Sequence, residues 1–500
     1  MNGRYYEEYY RDLDGFAGFE MGSMERLGEL SDLFGSRRLV VVSNRLPYSP
    51  HRTPEGIRYE KGSGGLVTAL DPILRLSNGL WIGWDGGTGT PMKGKRITVS
   101  EAEGEGSYQL RFVDLTEKEV RHYYYSFSNR TLWPLFHNFI AMSRFNTTHW
   151  KTFFKTNAYF AGTVLEETDP SDIIWVQDYH LSLVPNFIRY QNPDLRPSFF
   201  LHTPFPPYDT FRVLPWCKPV LEGLLGSEKI GFHIKTYADN FLDCVEKISN
   251  LPVDREWGLI ELTGRQVKVG AHPISIDYDN FHDIALTERV MKGAQKHRGR
   301  IGDRIVILGV DRLDYTKGIK ERLLSVERFL EKHRKYRNRI VFIQVAVPSR
   351  TRVEEYRAMK REVDETIGRI NGRFTGEGWA PIQYIYRSLS REELVGYYRL
   401  ADIALVTPGR DGMNLIAKEY VASQVEMKGV LILSEFAGAA EELTDALLVN
   451  PYDIEAVSET IYTAIRMSVE EKRARMERMQ DLVKERDIYY WVRNFFEEVS

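Results

Sequence analysis

The sequence predicts an α/β protein with two domains, each built on a parallel sheet covered by helices. Its 500 residues exceed what one hydrophobic core usually organises. Continuous apolar runs, typical of strands buried on both faces, alternate with longer amphipathic stretches. Polar turns follow several of these runs directly, at the strand ends where open α/β sheets bind ligands. We therefore expect parallel sheets with ligand sites at their carboxyl edges.

Seven apolar runs carry the strand prediction, three in the first half of the chain and four in the second. They are Arg38–Ser43, Asp172–Gln177, Ser198–His202, Ile305–Val310, Ile340–Ala346, Ile403–Val406 and Val430–Leu433. Residues 269–277 indicate a crossing between the halves, and the aromatic, amphipathic stretch 489–499 indicates a terminal helix. Residues 1–36 favour either a helix packed on the body or a passive tail.

Composition excludes several classes of protein. A hydrophobic fraction of 43% suits globular packing, and a net charge of −3 leaves no basic footprint for nucleic acid. The two cysteines, Cys217 and Cys244, lack metal or redox spacing and are expected to be buried thiols in a reducing compartment. No apolar run approaches the roughly 20 residues that span a bilayer, and no signal peptide is evident. We expect a cytoplasmic protein without a membrane partner.

Residues 409–419 form the most informative segment. They follow Asp402–Pro408, a short buried strand that leads into a tight turn, and a helical pattern begins at Leu415. Such a junction directs backbone N–H groups and the positive helix end at one point, which suits an anionic ligand. Asp411 and Glu419 add acceptors for sugar hydroxyls. The segment predicts a nucleotide-sugar pocket, with an ordinary strand–helix connection as the alternative.

A second phosphate-binding segment follows the strand at 305–310. Arg312 and Lys317 lie five residues apart across a loop, so both are placed to clamp one diphosphate. Arginine supplies a planar fork of donors, and lysine supplies a compact charge. The alternative is that Arg312 merely forms a surface ion pair with Asp311 or Asp314.

The first half offers further candidates. Arg45 ends the first strand, where a cation suits a sugar phosphate. The consecutive glycines Gly64 and Gly65 would allow a close backbone approach to a ligand. An aromatic cluster at 123–133 suits either sugar stacking or the core. His202 ends another strand, a position where histidine is more often structural than catalytic.

These segments resemble the signature segments of the trehalose-6-phosphate synthases, a family of retaining glycosyltransferases with the GT-B architecture. The resemblance is carried by Val42–Arg45, Gly64–Val67, Ser128–Pro134, Asp178–His180, His202–Pro206, Asp311–Gly318, Thr407–Glu419 and Gly429–Ala440, and it covers residues 37–500. It implies two Rossmann-like domains facing a central cleft, with the C-terminal helix returning to the first. The implied domains are residues 37–275 with 485–500, which bind the acceptor, and residues 276–484, which bind the nucleotide sugar. Residues 1–36 remain outside as an extension.

The resemblance also implies roles for particular residues. The acceptor phosphate and its pocket would be formed by Arg45, Tyr124, Trp133 and Arg350, with Asp178 on the acceptor sugar. Donor contacts would come from Gly64, Gly65, His202, Arg312, Lys317, Leu389, Asp411, Leu415, Ile416, Ala417, Lys418 and Glu419. Among these, Arg312 and Lys317 would bind the diphosphate, His202 and Asp411 the glucose, and Glu419 the ribose. Arg312, Lys317, His202, Asp178 and Asp411 would form the catalytic set.

The implied reaction transfers glucose from a nucleotide donor, with UDP-glucose favoured, to glucose 6-phosphate without a cofactor or metal. Dephosphorylation of the product would belong to a separate phosphatase, and whether the chain forms a homo-oligomer stays open. One alternative is a sibling transferase that uses another phosphorylated acceptor, such as glycerol 3-phosphate. A non-catalytic sugar-phosphate sensor is another, although such a protein would be expected to have lost an assigned charged residue.

Several positions need separate weighing. Asp277 and Asp279 match an Asp-x-Asp metal motif superficially, but they fall at the expected interdomain crossing. Gly409, His272 and Ser275 depart from the family pattern. Gly409 is expected to free the backbone beside the donor glucose, and Ser275 to be a tolerated interdomain change.

Overall fold

The fold is described from a computed structural model of the chain. It covers residues 28, 30, 32–53, 56–62, 65–88, 96–100, 106–350 and 353–497. Across these ranges, no helix combines the length and apolar character required to cross a membrane.

The first half of the chain forms a ten-stranded sheet and a small hairpin. The strands are β1 Leu39–Arg45, β2 Tyr48–Thr53, β3 Gly56–Lys61, β4 Leu80–Trp84, β5 Arg96–Ser100, β6 Ser107–Phe112, β7 Ile173–Gln177, β8 Ser198–Phe200, β9 Lys229–Phe232, β10 Val253–Asp254, β11 Leu259–Leu262 and β12 Arg265–Ala271. The sheet order is β10-β11-β12-β9-β8-β7-β1-β4-β6-β5, and β2 pairs with β3 alone. The central strands are parallel, while β5, β10 and β11 pair antiparallel at the two edges.

The second half forms a separate six-stranded sheet. Its strands are β13 Ile305–Arg312, β14 Ile340–Val347, β15 Ile382–Ile385, β16 Ile403–Val406, β17 Val430–Ser434 and β18 Leu447–Val449. The order is β15-β14-β13-β16-β17-β18, and every neighbouring pair is parallel. The order reverses between β13 and β16, so the carboxyl ends of these two strands flank a crevice, the usual ligand position in such sheets.

Helices cover both sheets. The α-helices are Gly65–Leu76, Glu117–Glu119, Trp133–Phe136, Thr147–Glu167, Val184–Gln191, Tyr208–Phe211, Cys217–Leu224, Lys235–Cys244, Tyr278–Leu286, Glu288–Ile301, Ile319–Lys332, Glu354–Phe374, Arg391–Leu400, Leu415–Ala422, Ile454–Arg466, Val469–Glu485 and Ile488–Glu497. A π-helix spans Val120–Leu132 and carries most of the aromatic cluster singled out in the sequence, while Trp133 begins the helix that follows it. Tyr123 and Phe127 from this element are fully buried, so part of the cluster is core.

All seven predicted strands are present, with ends that differ by a few residues. The expected crossing at 269–277 was placed too early, because β12 continues to Ala271. Its alternation of charged and apolar residues is typical of a strand, and it pairs with β9 on one side and β11 on the other. The antiparallel strands β5, β10 and β11 were missed because such short outer strands lack the continuous apolar run of a buried parallel strand, and the interior strands β4 and β9 were also missed.

The C-terminal helix Ile488–Glu497 lies on the first sheet, which confirms the predicted return. The ring centroids of Trp491 and Phe495 each lie 4.9 Å from that of Trp175 on β7. Phe34, just before β1, packs edge-on against Phe496 with centroids 5.5 Å apart. Part of the N-terminal extension therefore packs on the body, while residues 1–27 lie outside the described ranges.

Candidate functional site

Residues predicted from separate segments meet where the two sheets face each other. The first sheet contributes Arg45 at the end of β1, Asp178 after β7 and His202 after β8, and the second contributes Arg312 at the end of β13, Arg350 after β14 and the turn 409–414 after β16. Parallel strands bring these ends to one edge of each sheet, so residues more than 300 positions apart lie together.

Trp133 connects the two halves of the site. The guanidinium carbons of Arg350 and Arg312 lie 4.1 and 5.6 Å from its ring centroid, respectively. Its indole N–H donates to Oδ1 of Asp314 over 3.3 Å. Two arginines of the second half thus face one aromatic ring of the first, which suits a pocket that contains phosphate.

Asp314 orients Trp133, Arg350 and Tyr356 by accepting hydrogen bonds from their side chains. It is fully buried and accepts hydrogen bonds from Arg350 Nη1 at 3.1 Å and from the Tyr356 hydroxyl at 2.8 Å. Burial alone would raise the pKa of Asp314, but the charges of Arg350 and Arg312 outweigh it and hold that pKa at about 2. Asp314 is therefore the counter-ion that allows the buried Arg350 to remain in the site.

Arg312 does not form the ion pair with Asp311 or Asp314 that the sequence offered as an alternative. Asp311 forms a buried ion pair with Arg322, and Asp314 pairs with Arg350. Arg312 itself is exposed and forms no ion pair with any residue for which the structure gives a position. Its guanidinium is available to a ligand.

The turn after β16 is fixed from both sides. Asp411 Oδ2 accepts from Lys317 Nζ at 2.5 Å and from the amide of Asn414 at 2.9 Å. The Asp411 carbonyl accepts from the hydroxyl of Tyr237, a residue of the first half, at 3.1 Å. A Cβ at Gly412 would lie 2.3 Å from the carbonyl oxygen of His202, so the backbones of the two halves touch here. Lys317, Asp411 and the backbone of His202 therefore lie close together.

His202 and Asp178 occupy adjoining strand ends. The His202 amide donates to Asp178 Oδ1 at 3.3 Å, and His202 Nε2 lies 2.8 Å from Gln177 Oε1. Burial lowers the pKa of His202 to about 3, so its ring is neutral at physiological pH. Burial raises the pKa of Asp178 to about 6, against the opposing effect of two backbone N–H groups and the charges of Arg350 and Arg312. Asp178 also has a positive φ of 71°, a strained geometry common at functional sites.

Arg45 and Tyr124 both pack against Trp84 in the first half of the chain. The Arg45 guanidinium stacks 4.6 Å from the Trp84 ring, and Tyr124 meets the same tryptophan with centroids 5.5 Å apart. Gly86 has a φ of 91°, which favours glycine, and a Cβ there would lie 2.1 Å from Arg45 Nη1, so a side chain at this position would displace the guanidinium. Both side chains are at least partly exposed and can reach a ligand.

The helix Leu415–Ala422 presents its amino end to the site. Asn414 caps it in the left-handed region, with its side chain accepting from the Ala417 amide. Leu415 and Ile416 are partly exposed, whereas Ala417 and Lys418 are buried. The Lys418 ammonium donates to Glu442 at 2.7 Å and to the Ile274 carbonyl at 3.0 Å, so its side chain is a structural tie and only its backbone can serve a ligand.

The remaining predicted donor residues are placed as follows. Glu419 is partly exposed and accepts from the hydroxyl of Tyr398 at 2.8 Å. Leu389 lies partly buried in the loop between β15 and the helix Arg391–Leu400. Gly65 begins the helix Gly65–Leu76, and Gly64 lies outside the described residues.

The Asp-x-Asp motif and two of the departures from the family pattern lie just after β12, around the start of the helix Tyr278–Leu286. Asp277 caps the helix Tyr278–Leu286 by accepting from the Asn280 amide, and it also accepts from the Tyr489 hydroxyl at 3.3 Å. In the ranges that the structure describes, no three His, Cys, Asp or Glu side chains form a group suited to a metal ion. His272 Nδ1 lies 2.6 Å from Asn494 Oδ1 on the C-terminal helix, so this departure from the family pattern joins the crossing to that helix. Ser275 is buried beside it.

Three residues that hold aspartates of the site in place were not predicted from the sequence: Tyr356, Tyr237 and Arg322. Tyr356 and Tyr237 carry no local signal, because their partners lie far away in the sequence. Arg322 could have been found, since it lies on the apolar face of the helix Ile319–Lys332 among buried leucines, where an unpaired arginine would be costly.

Comparisons with known proteins fit this geometry. Residues 37–500 match the model of glycosyltransferase family 20. The trehalose-6-phosphate synthase of Mycolicibacterium smegmatis is 40% identical over 477 residues, which cover 93% of each chain. A UDP-forming alpha,alpha-trehalose-phosphate synthase from Burkholderia xenovorans, solved with glucose-6-phosphate, has a TM-score of 0.84 at 33% identity, covering 92% of this chain and 99% of that one. An E. coli structure bound with UDP-2-fluoro glucose has a TM-score of 0.84 at 35% identity, covering 92% and 98%. The chain therefore belongs to glycosyltransferase family 20 and is a hexosyltransferase with the GT-B fold.

Proposed function

We propose that the protein transfers glucose from UDP-glucose to glucose 6-phosphate with retention, forming α,α-trehalose 6-phosphate and UDP. The observation that carries the proposal is the convergence of cations from both halves on one cleft that also contains Asp178 and Asp411. Similarity to synthases solved with glucose-6-phosphate and with a UDP-glucose analogue supports both substrates.

On the donor side, Arg312 and Lys317 bind the diphosphate, and the amino end of the helix Leu415–Ala422 adds backbone N–H groups. Asp411 and His202 bind glucose hydroxyls. When the diphosphate enters, it replaces Asp411 as one partner of Lys317, which frees carboxylate lone pairs for the sugar. Glu419 accepts from the ribose, and Leu389 flanks the base.

On the acceptor side, Arg45, Tyr124, Trp133 and Arg350 bind the phosphate, and Asp178 accepts from the sugar. Arg350 is buried and already paired with Asp314, so it is preorganised before substrate arrives. Because Arg350 comes from the second half, acceptor binding helps to close the cleft.

The chemistry requires the anomeric C–O bond of UDP-glucose to break while the acceptor hydroxyl attacks the same face of the glucosyl ring. The bonding electrons pass to the β-phosphate oxygen, and that phosphate takes the proton of the incoming hydroxyl. Negative charge grows on the diphosphate, where Arg312, Lys317 and the helix amides stabilise it, typically the largest electrostatic contribution to catalysis. The protein then supplies no carboxylate nucleophile, and the cations take the place of a metal.

The decisive experiment supplies UDP-, ADP- and GDP-glucose with glucose 6-phosphate or glycerol 3-phosphate, and identifies the product and its anomeric configuration by NMR. We expect an α,α-linked phosphorylated disaccharide and activity that survives EDTA. A β-linked product would refute retention, and loss of activity on chelation would refute metal independence. Turnover only with glycerol 3-phosphate would support the sibling transferase, and binding without turnover would support the sensor.

A further inference from the structure

The glycine at 409, which departs from the family pattern, does not open empty space beside the donor turn. A Cβ at this position would lie 2.6 Å from the hydroxyl oxygen of Tyr452 and 3.4 Å from its Cζ. The phenol of Tyr452 therefore fills the volume that a side chain at 409 would occupy. The expectation that Gly409 loosens the backbone is replaced by a specific contact.

Tyr452 touches the Asp411 turn at Gly409 and also packs against Phe436, which lies in a segment that holds the turn. Gly409 donates its amide to the Thr316 carbonyl at 2.8 Å, which joins the turn to the loop that carries Lys317. On the other side, the Asp411 amide donates to the carbonyl of Phe436 at 3.1 Å. The ring centroid of Phe436 lies 6.1 Å from that of Tyr452. One tyrosine thus packs against the residues on both sides of the turn.

We propose that Tyr452 is a positioning residue for the donor: its phenol packs on Gly409 and keeps the Asp411 turn against the Lys317 loop. The inference rests on the proposed function, in which these two segments bind the nucleotide sugar. Tyr452 itself follows β18 at the carboxyl edge of the second sheet and is 55% exposed, so it acts without being part of the core.

Because Tyr452 is exposed, its contact with Gly409 can be removed by mutation without disturbing the folded core. In Gly409→Ala, the new methyl would displace the phenol into solvent at little cost to stability, because the obstructing atom is the free end of an exposed side chain. This variant should therefore behave like Tyr452→Ala. Removing only the hydroxyl in Gly409→Ala/Tyr452→Phe leaves the nearest ring carbon at an ordinary contact distance of 3.4 Å, so the ring can return.

The test measures KM for UDP-glucose, KM for glucose 6-phosphate, kcat and the Kd for UDP in these three variants. We expect Tyr452→Ala and Gly409→Ala each to raise the donor KM and the UDP Kd roughly tenfold, below the hundredfold that a misplacement of about 1 Å can cost. The acceptor KM should be unchanged. The double variant should return to within about twofold of the parent protein.

Tyr462→Ala is the matched control, because it removes another partly exposed tyrosine of the same half, stacked on His333 at 4.2 Å and away from the site. Circular dichroism melts report folding. The inference is overturned if Tyr452→Phe does not rescue Gly409→Ala, or if Tyr452→Ala raises both KM values equally or neither. A parent protein that forms no product would instead refute the proposed function, so the two failures are distinguishable.

Discussion

Arg312→Ala removes a cation from the cleft without touching the core, which makes it the sharpest test of the proposed chemistry. The Arg312 side chain is exposed, forms no ion pair within the described part of the chain, and contacts the Trp133 ring at 5.6 Å. An exposed cation–π contact contributes about 0.5–1 kcal/mol. Loss of this contact should therefore change the free energy of unfolding by no more than about 1 kcal/mol.

The effect on catalysis should be far larger. Two unit charges about 4 Å apart interact by about 4 kcal/mol at an effective dielectric constant of about 20. Loss of one donor from a preorganised site typically costs about 2.7–4 kcal/mol. Because charge develops on the diphosphate in the transition state, we expect kcat to fall roughly 10²–10³-fold.

The assay is initial-rate UDP release, with thermal melts of the same samples. Arg478→Ala is the neutral control, since this exposed arginine forms a surface ion pair with Asp445 and its loss should change neither rate nor stability measurably. Arg322→Ala is the contrasting control, because it leaves the buried Asp311 without its partner and should cost about 3–5 kcal/mol of stability. Near-normal turnover in Arg312→Ala, or activity lost only in step with melting, would refute the role.

Buried residues give four further expectations. The pKa of Asp178 is raised to about 6, so kcat/KM for the acceptor should fall as pH drops through 6. In Asp178→Asn this decrease should disappear, and only the titration of the substrate phosphate should remain. A pH profile that is the same in the variant would contradict the role assigned to Asp178. The folded protein also protonates this group more readily than the unfolded chain, so its contribution to stability declines as pH rises from about 4 to 6, which urea titrations across that range would detect. Asp314→Asn leaves Arg350 buried without a counter-ion and should lower the free energy of unfolding by about 3–5 kcal/mol, with partial recovery in Asp314→Asn/Arg350→Met; full stability in the single variant would argue against the pair. Phe34→Ala, which removes the contact with Phe496, should cost about 3–5 kcal/mol in chemical denaturation, and a neutral result would mean that the extension is passive.

The outcome of the sequence predictions depended on the range of the interactions involved. Seven of the buried parallel strands were identified because a strand covered on both faces must be apolar along its length, whereas β4 and β9, which are also buried and parallel, were not. The segments proposed to bind phosphate were singled out because polar residues directly after such strands have a limited set of uses. The roles assigned to the individual site residues, and the domain boundary between residues 275 and 276, stay predictions.

Sequence alone determined the α/β class, the positions of seven buried parallel strands and the residue types at their ends, because these follow from local periodicity and residue type. Only the tertiary structure decided which charges are free. Arg312, Arg322 and Arg350 look alike in the sequence, but Asp311 neutralises Arg322 and Asp314 orients Arg350, which leaves Arg312 exposed. The structure likewise showed that Tyr452 occupies the space beside Gly409. Such pairings depend on which residues the folded sheets bring within a few ångströms, and no local pattern in the chain records those distances.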